Sequence, residues 1–153
     1  MPQFSTTRRV KHAAGNMFDL VGDMERYPEF VPFCERMRVW ERRELGQGVE
    51  VAMAEMSVAY KLIRERFTSR VTLDRPNLQI LVEYVEGPFS HMKNCWSFHP
   101  CGEKLSDVSF SVEYEFRSRV LGLLMGAMFE AVFRRFAEAF ERRADQLYVR
   151  KTA

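Results

Sequence analysis

From residue 108 to residue 116 apolar and polar side chains alternate without a break. Val108, Phe110, Val112, Tyr114 and Phe116 stand against Ser109, Ser111, Glu113 and Glu115. Successive side chains of a strand point to opposite faces, so the pattern predicts a strand with one dry and one wet face. Residues 78–84 and 94–98 carry weaker versions of it. Parallel strands buried on both sides read as continuous apolar runs, so the alternation predicts an antiparallel sheet. Gly46-Gln47-Gly48, Arg75-Pro76-Asn77, Gly87-Pro88 and Pro100-Cys101-Gly102 divide residues 35–117 into runs of strand length joined as hairpins.

The two ends of the chain differ from this middle. Residues 3–12 alternate loosely, with Phe4, Thr6 and Val10 in phase, and predict a first strand. Met17, Phe18, Leu20, Val21 and Met24 then follow at helical spacings and predict a short helix with one buried face. Asp23 is positioned to cap a second helical turn, and Pro28 and Pro32 forbid a long helix there. Residues 120–148 predict a helix about 43 Å long at 1.5 Å per residue. Leu121, Met125, Met128, Val132, Phe136, Phe140 and Leu147 form its apolar stripe, widened by Leu124, Phe129 and Phe133. Glu130 with Arg134 and Glu138 with Arg142 are favourable pairs four residues apart on its wet side. The order of strand, short helices, a run of strands and a long helix gives an α+β class, in a single domain over residues 1–153.

Composition sharpens the picture only a little. The chain has 153 residues, enough for one core, and a domain of that size buries about 68–70% of its unfolded surface. Thirteen Phe and nine Met supply rigid rings and adaptable side chains, which suit either packing or an apolar pocket. Lys and Arg total 23 against 21 acids, a formal charge of +2, too balanced to point to DNA as partner. Cys34, Cys95 and Cys101 are an odd set with no secretory segment before them, which predicts free thiols in a reducing cytoplasm. The longest apolar run, residues 120–129, falls short of the about 20 residues that a bilayer span needs.

Catalytic signatures are missing from the sequence. It has no glycine-rich phosphate loop, no Gly-x-Ser-x-Gly elbow and no His-Glu-x-x-His. His91, Cys95, His99 and Cys101 resemble metal ligands and share strand parity. Ten strand residues span about 33 Å, however, while zinc ligands lie about 2.0–2.3 Å from one ion, so no metal site is expected. Glu83, Glu113 and Glu115 fall on the wet face and read as solvated carboxylates. Arg36-Arg38-Arg42-Arg43 and Arg64-Arg66-Arg70 are interleaved with acids and read as a mixed soluble surface, with an RNA phosphate partner as the alternative. Gly122 and Gly126 cost helix stability, and either close helix–sheet packing or room for a ligand accounts for them. Residues 27–33 form an apolar, Pro-stiffened segment that caps the core or touches a membrane.

The segment Phe18-Asp19-Leu20-Val21-Gly22-Asp23-Met24-Glu25-Arg26-Tyr27-Pro28-Glu29-Phe30-Val31-Pro32-Phe33-Cys34 resembles the N-terminal signature of the coenzyme Q-binding START-domain proteins, within the START-like polyketide cyclase and lipid-transport group. Phe67-Thr68-Ser69-Arg70-Val71, Glu86-Gly87-Pro88-Phe89 and Trp96-Ser97-Phe98-His99-Pro100 extend the likeness over nearly the whole chain. The resemblance implies a helix-grip fold, a curved antiparallel sheet of six to seven strands wrapped around the long helix. It also implies an apolar cavity that holds ubiquinone or a related isoprenoid lipid, in support of respiration and ubiquinone biosynthesis and with no established chemical step. Some bacterial members of that family are named as toxins that bind the large ribosomal subunit, and cyclase relatives are enzymes.

On these grounds the chain is expected to be a cytoplasmic quinone carrier or chaperone, touching the inner membrane peripherally, with no catalytic residue and no cofactor. The expected lining is Trp96, Phe98, Phe110, Val112, Leu121, Leu124, Met125, Met128 and Val132. Its mouth is expected near the start of the long helix. The alternatives are an inhibitor that binds the large ribosomal subunit and a cyclase-like enzyme.

Overall fold

A computed structural model describes residues 3–148; residues 1, 2 and 149–153 of the expected single unit lie outside the described residues. The chain runs through β1 (Gln3–Val10), α1 (Ala14–Gly22), a 3₁₀ helix (Met24–Glu29), β2 (Cys34–Gly46), β3 (Val49–Tyr60), β4 (Ile63–Asp74), β5 (Gln79–Glu86), β6 (Phe89–Gly102), β7 (Leu105–Phe116) and α2 (Arg119–Tyr148). The strands form one antiparallel sheet in the order β1-β7-β6-β5-β4-β3-β2. Six strands follow one another as hairpins, and β1 closes onto the last of them. The link from β1 to β2 therefore crosses from one sheet edge to the other, and it carries α1 and the 3₁₀ helix.

Strand alternation sets the two faces of the sheet. In β7, Val108, Phe110, Val112 and Tyr114 are buried while Ser111 and Glu115 are exposed. Register then aligns the inner residues in rows. Ala52, Val71, Val82, Asn94 and Val112 face one another across five strands. The row beside it holds Leu73, Ile80, Trp96 and Phe110. β2 bends at three irregularities in its pairing with β3, one of them at Trp40–Arg43, where Glu41 takes a φ of 54°. Such bulges raise local twist and curve the strand.

α2 lies across β7 and β1 and also meets α1. Met125, Met128, Phe129, Val132, Phe133, Phe140 and Ala144 form its buried face. Phe89 is the centre of one aromatic cluster, stacked on Phe116 at 5.0 Å and edge-on to Phe129 at 5.3 Å. Trp96 centres a second, edge-on to Phe110 at 4.8 Å and to Phe140 at 5.0 Å. Pairs of this geometry add about 0.5–1.5 kcal/mol each beyond area burial. The far end of α2 is tied down by His12, which is buried and lies 2.7 Å from Asp145. The His12 carbonyl accepts a bond from the buried Ser106 hydroxyl at 2.8 Å.

Three local expectations change. Pro100 lies inside β6, and the turn comes at Glu103 and Lys104 instead. β5 stops pairing at Ser97 and the Phe98 N–H still reaches the Leu78 carbonyl at 2.9 Å, so at Pro100 that side of β6 has no β5 partner and the missing proline N–H breaks no ladder. The turn between β3 and β4 has neither Gly nor Pro; Lys61 adopts a φ of 56° there. Asp23 stands at the N-cap of the 3₁₀ helix but makes no capping bond, and its carboxylate lies 3.3 Å from Arg26.

Gly87, in the β5–β6 turn, has a φ of 147°, and a Cβ there would sit 2.7 Å from Phe67 Cβ and 3.1 Å from the Arg66 carbonyl. Gly87→Ala is expected to cost about 2–3 kcal/mol through backbone strain and overlap together. Urea unfolding of the two proteins measures the difference, and an unchanged midpoint would contradict this account of the turn.

Candidate functional site

The inner face of the sheet is wider than α2, and the uncovered part encloses a cavity of about 90 Å³. Its floor comes from inward-pointing positions of successive strands: Ala54 and Met56 on β3, Phe67, Ser69 and Val71 on β4, Ile80 and Val82 on β5. Met92, Asn94 and Trp96 of β6 continue it, as do Phe110 and Val112 of β7. Phe133 and Phe136 of α2 form the roof, and Met24 and Tyr27 of the 3₁₀ helix close one side. Met37, Met56, Phe67 and Phe136 are only half-buried. These half-buried side chains give the cavity an accessible wall along the β2–β4 limb and the middle of α2.

Polar chemistry in this cavity is sparse. No carboxylate, imidazole, amine or guanidinium lines it among the described residues. The Tyr27 hydroxyl donates to the Val21 carbonyl, and burial pushes its ionisation far above the usual phenol range. The Asn94 amide donates to the Ser111 carbonyl at 2.8 Å. Ser69 is 3% exposed and its hydroxyl has no hydrogen-bond partner among the described residues. Close by, burial raises the Cys34 thiol to about 11, so it stays protonated and unreactive at neutral pH.

Of the lining residues expected from sequence, Trp96, Phe110 and Val112 border the cavity. Phe98, Met125, Met128 and Val132 are buried in the packed core and do not border it. Leu121 is half-buried, and Leu124 is 58% exposed. At about 100° per residue, Leu124 points some 130° away from the centre of the helix's buried face. With Val120 and Leu123 it forms an exposed apolar patch at the start of α2. A Cβ at Gly126 would meet nothing within 4 Å, so close helix–sheet packing does not require this glycine, and Gly126 does not border the cavity. Phe133 and Phe136, about two and three turns beyond Gly126, take the roof position.

The candidate metal ligands and carboxylates, His91, Cys95, His99, Cys101, Glu83, Glu113 and Glu115, do not border the cavity. His91 Nε2 is 3.1 Å from Glu113, and the Arg9 guanidinium reaches the Cys101 sulfur at 3.7 Å. Among the described residues no group of three or more His, Cys, Asp or Glu is arranged to hold a metal ion. Nor is any described helix long and apolar enough to cross a membrane.

The model of the family described as polyketide cyclase / dehydrase and lipid transport matches residues 10–141. The chain is 34% identical to the ribosome association toxin RatA of Vibrio cholerae over 97% of this chain and 99% of that one. It is 28% identical to the mitochondrial coenzyme Q-binding protein COQ10 homolog B of Xenopus laevis, over 97% of this chain and 60% of that protein. The solution structure of the 18 kDa protein CC1736 of Caulobacter crescentus superposes with a TM-score of 0.79 at 34% identity, covering 97% of this chain and 99% of that one.

Because Ala54 borders free volume, Ala54→Leu is expected to fill it and leave stability within about 1 kcal/mol. Ala144→Leu, at a fully buried position away from the cavity, is expected to cost about 1–3 kcal/mol by overpacking. Thermal unfolding compares the two, and equal losses would mean that the cavity is already packed.

Proposed function

The chain belongs to the polyketide cyclase / dehydrase and lipid transport family, and from that membership we propose that it binds ubiquinone or a related prenyl lipid in the cavity, as a carrier or chaperone and not as a catalyst. The observation that carries this reading is the lining itself: apolar nearly throughout, with no charged group among the described residues. A cyclase needs an acid or base in contact with its substrate. A carrier needs only apolar surface, which stabilises a buried prenyl group by about 25 cal/mol per Å².

Ligand pockets generally measure about 300–1,000 Å³, so a cavity of about 90 Å³ must widen to accept a ring and its first isoprene. Met24, Met37, Met56 and Met92 on its walls are unbranched side chains that re-pack at low cost. The remaining tail leaves through the opening beside Met56 and Phe136. The apolar patch of Val120, Leu123 and Leu124, next to Arg117 and Arg119, suits contact with an anionic membrane surface from which the lipid is collected. Protein purified from its own host is expected to release a prenylquinone on organic extraction, identified by mass spectrometry. Extracts free of isoprenoid, combined with no uptake of added quinone, would overturn the proposal.

A second reading, attachment to the large ribosomal subunit, draws support from the relatives named ribosome association toxin and from one surface. Arg36, Arg38, Arg66 and Arg70 are exposed on the outer face of β2 and β4, and among the described residues no carboxylate lies within 4.0 Å of any of them. Arg64, in the same set by sequence, is paired with Glu35 at 2.8 Å. Binding to RNA phosphates weakens steeply with salt, whereas an apolar site hardly responds. Arg66→Glu with Arg70→Glu is expected to leave quinone binding intact, and the unaltered protein to show little co-sedimentation with large subunits at physiological salt. Saturable co-sedimentation that the double reversal abolishes would make the ribosomal role primary.

A further inference from the structure

Ser69 stands at a position where the strand pattern calls for an apolar residue. β4 turns Phe67, Ser69, Val71 and Leu73 inward, and Ala54 and Tyr84 flank Ser69 on the neighbouring strands. Its hydroxyl is buried, borders the cavity and has no partner among the described residues. The fold does satisfy its other fully buried serine, for Ser106 donates to the His12 carbonyl at 2.8 Å. On the cavity wall it engages Tyr27 through Val21 and Asn94 through Ser111. Buried polar groups are nearly always paired, and the exceptions call for a specific explanation.

We propose that Ser69 Oγ–H is the polar anchor of the cavity and donates a hydrogen bond to a carbonyl oxygen on the head of the bound lipid. This rests on the lipid-binding reading above and deepens it: the preferred ligands are those that carry a carbonyl on the part that enters first. An apolar wall sets how much prenyl surface is buried but hardly distinguishes one hydrocarbon from another. A single donor in a dry site does distinguish, because a ligand without an acceptor leaves the hydroxyl unpaired. The hydroxyl is one inward position along β4 from half-buried Phe67 and Trp96 lies two strands farther on β6, so a head entering between the β2–β4 limb and α2 meets Ser69 before Trp96.

Calorimetric titration with two probes tests the assignment: a ubiquinone bearing a single isoprene, and an alkylbenzene of similar size without oxygen. Uptake of the alkylbenzene by the unaltered protein reports on the apolar cavity independently of Ser69. Ser69→Ala is expected to weaken the quinone about tenfold, the effect of one hydrogen bond, while alkylbenzene affinity stays within about twofold. Ser69→Thr, which keeps the hydroxyl, is expected to retain quinone affinity. The ligand-free Ser69→Ala protein is expected to melt no lower than the original, since no internal bond is lost. Quinone affinity unchanged in Ser69→Ala, an equal loss for both probes, or a lowered melting temperature would each overturn the assignment. Binding of neither probe by the unaltered protein would instead overturn the lipid reading itself.

Discussion

A sheet of seven strands spaced about 4.8 Å apart is some 29 Å wide, and a helix with its side chains is about 10–12 Å across. One helix therefore cannot cover the inner face of this sheet, and the rest of the architecture follows from that mismatch. The chain covers part of the deficit with the β1–β2 link, which lays α1 against β5, β6 and β7 and the 3₁₀ helix against β2. The bulges of β2 curl the far limb inward. Some of the face of β3, β4 and β5 still has no protein opposite it, and that remainder is the cavity. It is a consequence of the layer geometry, not an indentation added to a finished core.

The same mismatch explains which residues line the space. Opposite α2 the inner face carries large rings, and Phe89, Trp96 and Phe110 are packed directly against Phe129, Phe140 and Phe133. Where the helix is absent the inner positions are mostly smaller or softer: Ala54, Ser69, Val71 and Val82 beside the single ring of Phe67, with methionines around the rim. Further rings at those small positions would fill the gap. Small residues leave it, and Met side chains let its volume vary without breaking aromatic contacts elsewhere.

Most of the fold was legible because strand and helix periods are local properties. The alternation at 108–116 marks β7 correctly, and three of the four turns expected from Gly and Pro are turns. The family likeness supplied the helix-grip arrangement, which the sheet and α2 display. The lining was only partly legible. Strand parity turns Trp96, Phe98, Phe110 and Val112 inward without saying which of them borders space, and on α2 apolar periodicity identifies the buried stripe without saying which part of it meets sheet and which meets space. Met125, Met128 and Val132 are on that stripe and are buried against protein; Phe133 and Phe136 are on it and roof the cavity. β4 held an unused signal. In the inward series Phe67, Ser69, Val71, Leu73 one hydroxyl interrupts apolar side chains, a local conflict of the kind that collects at functional sites.

β4 also shows how the two functional readings differ physically. Ser69 and Val71 point into the cavity while Arg66 and Arg70 point outward from the same strand. Because side chains alternate, each face can change without altering the chemistry of the other, provided that the strand keeps its register with β3 and β5. A lipid in the cavity is stabilised by contacts in a dry, weakly polar space. A phosphate on the outer face is held by charge across water and competes with every ion in solution. The two events would share a backbone but no side chain, so occupation of one site affects the other only by bending the sheet. Widening by re-packing of the methionine side chains leaves the sheet in place, whereas widening by a bend of β3 and β4 would change the spacing of the outward arginines on β2 and β4. The sheet is thus the one element through which lipid loading and an outer-face contact could influence each other.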